Sequence, residues 1–132
     1  MKPTNEQIIK ALEYLETENN PIVQPDGITI DEPFGGYIAA FGGAVVQMGL
    51  LPAVMLYDSH SDGNTCRQKI SQALFDLYKT DVTPAPTETN FYEYLQCNFV
   101  ANDPDYLWCR KEVMQWVIAL KMAMRTFKFV KL

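Results

Sequence analysis

Helical punctuation is plentiful along this chain and strand punctuation is nearly absent. Ile8, Leu12 and Leu15 fall on one stripe at helical spacing, the mark of a helix laid against a core. Just ahead of them Thr4-Asn5-Glu6-Gln7 has the form of a capping box, in which the Thr hydroxyl and the Gln side chain satisfy early backbone N–H groups. That helix is expected to end near Asn19-Asn20-Pro21. Residues 21–34 hold Pro21, Pro25, Asp26-Gly27 and Pro33 and read as an irregular connection, with Ile28-Thr29-Ile30 able to run extended for a few residues. A second helix is expected from Gly35 to Met48, ended by Gly49, and a short third one through Tyr57 with Pro52 in its first turn. After the polar loop 58–64, Asn64 or Thr65 caps a helix lined by Ile70, Leu74, Leu77 and Tyr78. Thr83-Pro84-Ala85-Pro86 separates it from another over Asn90–Asn98, where Asn90 and Glu93 can form a capping box. Asp103 as N-cap and Pro104 as first residue then open a long helix running to about Lys128. The fold class read from this pattern is all-α: a compact, single-domain bundle of about five to six helices.

The region from Pro33 to Tyr57 contains no charged residue. A bilayer span needs about 20 apolar residues, so the length suffices. Gln47, Gly49 and Pro52 interrupt it near the centre, it holds five glycines, and acidic flanks without Lys or Arg offer no interfacial anchor. The expectation is therefore burial in protein and no membrane. Ile38, Phe41, Val45 and Met48 make a bulky face, whereas Ala39, Ala40, Gly43 and Val46 make a smooth one. Small residues let a second backbone approach closely, so this Gly/Ala-rich helix is expected to lie buried at the centre of the bundle, between others.

At 132 residues, with 48% apolar and 20% charged residues, the chain suits one globular domain. Met1-Lys2-Pro3-Thr4 leads straight into the first amphipathic pattern with no apolar stretch behind a basic start, which predicts a cytoplasmic protein. Cys66, Cys97 and Cys109 are odd in number and irregularly spaced, which suits reduced thiols better than disulfides. The net charge of −5 divides unevenly. Up to Cys109, five basic residues face fifteen acidic ones; from Arg110 onward, six basic residues face Glu112 alone. An acidic body thus carries a basic end, an asymmetry that marks a nucleic-acid contact or a docking surface.

Catalytic and metal motifs are weak. Asp58-x-His60-x-Asp62-Gly63 imitates the start of a calcium loop, but its twelfth position is Lys69 where a bidentate Glu belongs. His60, the only histidine, has sequence neighbours rather than distant partners for a triad. With the three cysteines it makes four zinc ligands by count, yet no Cys-x-x-Cys pairing is present. No catalytic residue, metal or cofactor is assigned. The last helix is more informative. At about 100° per residue, Arg110, Lys121, Arg125 and Lys128 fall within about 60° of one another, with Lys111 about 100° from Arg110 and an apolar arc of Trp116, Leu120, Met124 and Phe127 beside them. Cations near a helix C-terminus offset its dipole. The absence of any acid after Glu112 also nominates Arg110, Lys111, Lys121, Arg125 and Lys128 for contact with phosphates or with acidic partner surfaces.

The stretch Gly36-to-Tyr57, with Tyr37, Phe41, Gly42, Gln47, Gly49, Leu50, Leu51 and Tyr57 as its marks, resembles the small helical subunit of the Cmr-type (type III-B) CRISPR effector complex. The resemblance continues through Arg67-Gln68-Lys69-Ile70 and Leu74, and into the last helix at Trp116, Leu120, Lys121 and Arg125; residues 79–105 lie outside it. It implies a non-catalytic subunit that stacks in a filament beside the subunits holding the guide RNA, and that helps position the guide–target RNA duplex in antiviral defence. The implied partners are the other effector subunits, guide and target RNA, and further copies of itself. The acidic body predicts weak RNA binding in isolation. Two other classes remain open on the residues alone: a helical protein–protein adaptor unrelated to CRISPR, and a small enzyme using His60 or a metal.

Overall fold

The chain enters helix α1 (Asn5–Glu16) through the capping box its sequence spells out. Gln7 N–H donates to Thr4 Oγ1 at 3.0 Å, and Thr4 N–H donates to Gln7 Oε1 at 2.9 Å. The computed structural model describes residues 2–60, 63–99 and 104–131; Ser61 and Asp62 of the polar loop and the expected N-cap Asp103 lie outside the described residues. Strand β1 (Thr29–Asp31) leads into α2 (Glu32–Met48), followed by α3 (Leu50–Tyr57), α4 (Thr65–Lys79), α5 (Phe91–Asn98), α6 (Pro104–Met124) and strand β2 (Lys128–Val130). The architecture is mostly α, as the periodicity predicts. Gly49 divides α2 from α3 at a φ of 96°, which glycine adopts without a Cβ penalty.

Three helix starts differ in detail from expectation, the first being α2, which begins at Glu32 instead of Gly35 and takes Pro33 into its first turn. Asn64 stands at the N-cap of α4 without a side-chain cap bond: its Oδ1 accepts from the Arg67 guanidinium at 3.4 Å, while its amide NH2 donates to the Tyr57 and Ser59 carbonyls. Asn90 caps α5 by accepting from Glu93 N–H, while the Glu93 carboxylate turns to the Thr89 hydroxyl and leaves the box half made.

The end of α6 is a correction. The helix stops at Met124, not Lys128. Thr126 donates its hydroxyl to the Ala123 carbonyl at 2.8 Å and Phe127 N–H bonds Met124 at 3.1 Å, so the last turn tightens to three-residue spacing. Lys128 N–H then donates to the Ile28 carbonyl, and β2 pairs parallel with β1, matching Thr29 with Lys128 and Asp31 with Val130. The extended Thr29-Ile30 of the sequence reading acquires its partner here, and the Phe129 ring packs against Gly35.

The centre of the bundle is also corrected. Helix α6, rather than the Gly/Ala-rich α2, is the axis: α1, α2 and α4 all pack against it, and it buries Cys109, Val113, Trp116, Val117, Ala119, Leu120, Ala123 and Met124. Helix α2 buries only Phe34, Ile38, Phe41 and Val45. Its neighbours α3, α4 and α6 cover the bulky side except for Met48. The smooth side is bare. A Cβ added at Gly42 would meet Val117 of α6 at 3.4 Å, so one small residue does serve helix packing, whereas Gly36 and Gly43 face open space. The second core centre is aromatic: Phe75 and Tyr78 of α4 stack on Phe91 of α5 at 5.1 and 5.8 Å between ring centroids.

Candidate interaction surfaces

The uncharged segment leaves several large apolar side chains exposed. Val46 on the bare side of α2, Met48 at the end of its bulky side, and Met55 and Leu56 on α3 are 64%, 50%, 51% and 53% exposed. Ala39, Ala40 and Gly43 are exposed on the Val46 side of α2, and large apolar side chains left in water in this way suit a surface that is covered in an assembly. A groove of about 490 Å³ lies between α2 and α3, lined by Tyr37, Ala40, Ala44, Leu56, Tyr57 and Arg67 among others. Arg67 lies over the Tyr37 ring at 4.7 Å and its guanidinium donates to Asn64. The Tyr57 hydroxyl donates to the Tyr37 carbonyl at 2.6 Å, which ties α3 to α2 across the groove floor. Burial raises the Tyr57 pKa, so the hydroxyl stays a donor at neutral pH.

The five nominated cations do not form one patch on one helix. Arg110 is half-buried and directs Nη2 toward the Val45 carbonyl at 3.4 Å, at the C-terminal end of α2, where a cation also offsets the helix dipole. Its setting is structural. Lys111 is exposed on α6 and Lys121 half-exposed. Arg125 stands just past the helix end, and Lys128 projects from β2, not from the helical wheel on which it was placed. Lys131 follows β2, is exposed as well, and was not singled out by the wheel because it lies beyond the helix in either reading. None of the five nominated cations forms an ion pair among the described residues; the pairs there involve Lys10 and Lys79. Met122, 45% exposed, sits among Lys121 and Arg125, so the basic side of this end carries apolar surface too.

Asp58 and Cys109, among the remaining candidates, have structural settings. Asp58 accepts from Tyr92 N–H at 3.0 Å and so anchors the start of α5 to the end of α3; burial raises its pKa. His60 is exposed. The Cys109 thiol is buried and its pKa is pushed up to about 12, chiefly by desolvation, the opposite of a reactive thiolate. Among the described residues no group of three or more His, Cys, Asp or Glu side chains is placed to hold a metal ion, and no helix is long and apolar enough to cross a membrane. No family model, curated protein or solved structure matches this chain.

Proposed function

We propose that the chain is a non-catalytic small subunit of a Cmr-type (type III-B) CRISPR effector ribonucleoprotein, working in the cytoplasm, where it stacks in the filament and helps position the guide–target RNA duplex. The observation that carries this reading is a coincidence of location. The segment Tyr37–Tyr57 that bears the family resemblance is the same segment whose apolar side chains Val46, Met48, Met55 and Leu56 lie in water in the single chain. A free-standing protein gains nothing from such a surface, and a stacking subunit needs one. Support for the RNA-facing half of the proposal is the set of cations Lys111, Lys121, Arg125 and Lys128, which have no ion-pair partner among the described residues. Sequence-independent phosphate contacts of this kind suit a complex in which base pairing reads the sequence.

The test is purification of the tagged chain from its native cell. The proposal requires guide RNA and sibling effector subunits in the eluate; recovery of other proteins without RNA would replace it with the unrelated-adaptor reading. Within the assembled complex, the triple variant Lys121→Ala, Arg125→Ala, Lys128→Ala should lower the salt slope of RNA binding by about 2, from roughly 0.7 per single-strand phosphate contact. An unchanged slope assigns those cations to protein neighbours instead.

A further inference from the structure

Between the end of α4, the loop that follows it, α5 and the first turns of α6 lies a cleft of about 560 Å³ lined by Tyr78, Asp81, Thr83, Tyr94, Phe99, Asp105 and Trp108 among others. Its aromatic residues form a continuous set. Ring centroids lie 6.2 Å apart for Tyr78 and Trp108, 5.6 Å for Tyr78 and Tyr94, and 5.5 Å for Tyr94 and Phe99. The floor is rigid, because Tyr78 and Tyr94 are buried and their hydroxyls bond each other at 3.1 Å. The mouth is open at Trp108, a large aromatic side chain left 46% exposed. Two carboxylates complete the lining, and no Lys or Arg is part of it. Asp81 is held in place by the Trp116 indole N–H at 3.1 Å, with Lys10 at 3.9 Å from its other oxygen.

Charge and ring chemistry select the ligand class. Aromatic faces are electron-rich and attract cations, and carboxylates at the rim add to that attraction. The same carboxylates repel phosphate, so the proximity of the α6 N-terminus does not make this an anion site. We propose that this cleft binds an organic cation, a quaternary ammonium or guanidinium group, carried either by a small molecule or by an Arg side chain of a partner polypeptide. The proposal is independent of the RNA-guided reading and concerns the opposite charge from the one phosphate contacts require.

The probes are choline, N-acetylarginine amide, inorganic phosphate and 3,3-dimethylbutanol, the last being an uncharged match in shape to choline. Each is titrated into the full chain while the Trp108 indole and the Asp105 and Thr83 amides are followed by heteronuclear NMR. Saturable shifts confined to these groups with choline or with the arginine derivative support the site, and the one that binds more tightly tells a small quaternary ligand from a side-chain anchor. Asp105→Asn and Trp108→Ala, both at solvent-facing positions, should each weaken that binding about threefold to tenfold while the melting temperature holds. No shift with either cation at about ten times the millimolar range expected of one cation–π contact overturns the proposal. So do equal shifts with 3,3-dimethylbutanol, which would mark a merely apolar cleft, and shifts with phosphate, which would mark an anion site.

Discussion

Helices α2 and α6 are the two longest of the protein, and they exchange the roles their compositions suggest. Helix α2 has a single charged residue, Glu32, in its 17 residues and buries four side chains; α6 carries Asp105, Arg110, Lys111, Glu112 and Lys121 in its 21 residues and buries eight. Three helices pack against each, so burial follows how far bulky side chains reach around the element, not its mean polarity. On α6 the buried residues include bulky Val113, Trp116, Val117, Leu120 and Met124, which α1, α2 and α4 enclose. On α2 the bulky residues occupy one stripe, and the remainder is too small to attract a neighbour within the chain. An uncharged surface that its own fold leaves open is the feature that sets α2 apart.

The contrast breaks most sharply at the core. Trp116→Ala on α6 should cost about 3–5 kcal/mol in urea unfolding, since the ring is fully buried and its indole N–H would leave Asp81 without its donor. Phe41→Ala, on the buried stripe of α2 and edge-on to Tyr57 at 5.0 Å, should cost about 3–4 kcal/mol by the same mechanism. A much smaller loss at Phe41 would mean that α2 is not fixed to the core at all. Gly49→Ala, at the break between α2 and α3, should cost about 1–2 kcal/mol because a Cβ is strained at its positive φ.

The smallest effect is electrostatic and sits on the other helix. Burial and the neighbouring Asp81 carboxylate raise the Glu112 pKa above its ordinary 4.5. A carboxyl with a raised pKa binds its proton more tightly in the folded protein, so its favourable contribution is complete below pH 4.5 and is lost as pH climbs through the raised value. Glu112→Gln should therefore stabilise the protein relative to the parent at neutral pH and lose that advantage toward pH 4, as read from paired thermal melts. An advantage that does not change with pH would remove the Asp81–Glu112 repulsion from the account.

What the sequence disclosed follows the range of the interactions. The Thr4–Gln7 box, the Asn90 cap, the Gly49 break and the extended Thr29-Ile30 are decided within a few residues, and each is found where its signature predicts. The end of α6 is not decided locally. Periodicity carries through to Lys128, and it is pairing with β1, about a hundred residues earlier in the chain, that draws Lys128–Val130 into a strand. For the same reason the helical wheel grouped Lys128 with Arg110 and Lys121, which the fold separates. The smooth side of α2 was legible as a surface made for close approach, but whether another part of the same chain takes that place depends on the whole topology. The aromatic–acidic cleft is assembled from α4, α5, α6 and the loop between α4 and α5, so no single stretch of sequence announces it.

The bare side of α2 is tested most directly by a single charge placed on it. Val46→Glu should change the stability of the isolated chain by no more than about 0.5 kcal/mol, because nothing in the fold touches that side chain closely enough to bury it. In the cell, the same variant should fail to bring down sibling subunits and guide RNA that the parent recovers in quantity. Full recovery with Val46→Glu would contradict the account, and so would a fall of several kcal/mol in the stability of the chain alone.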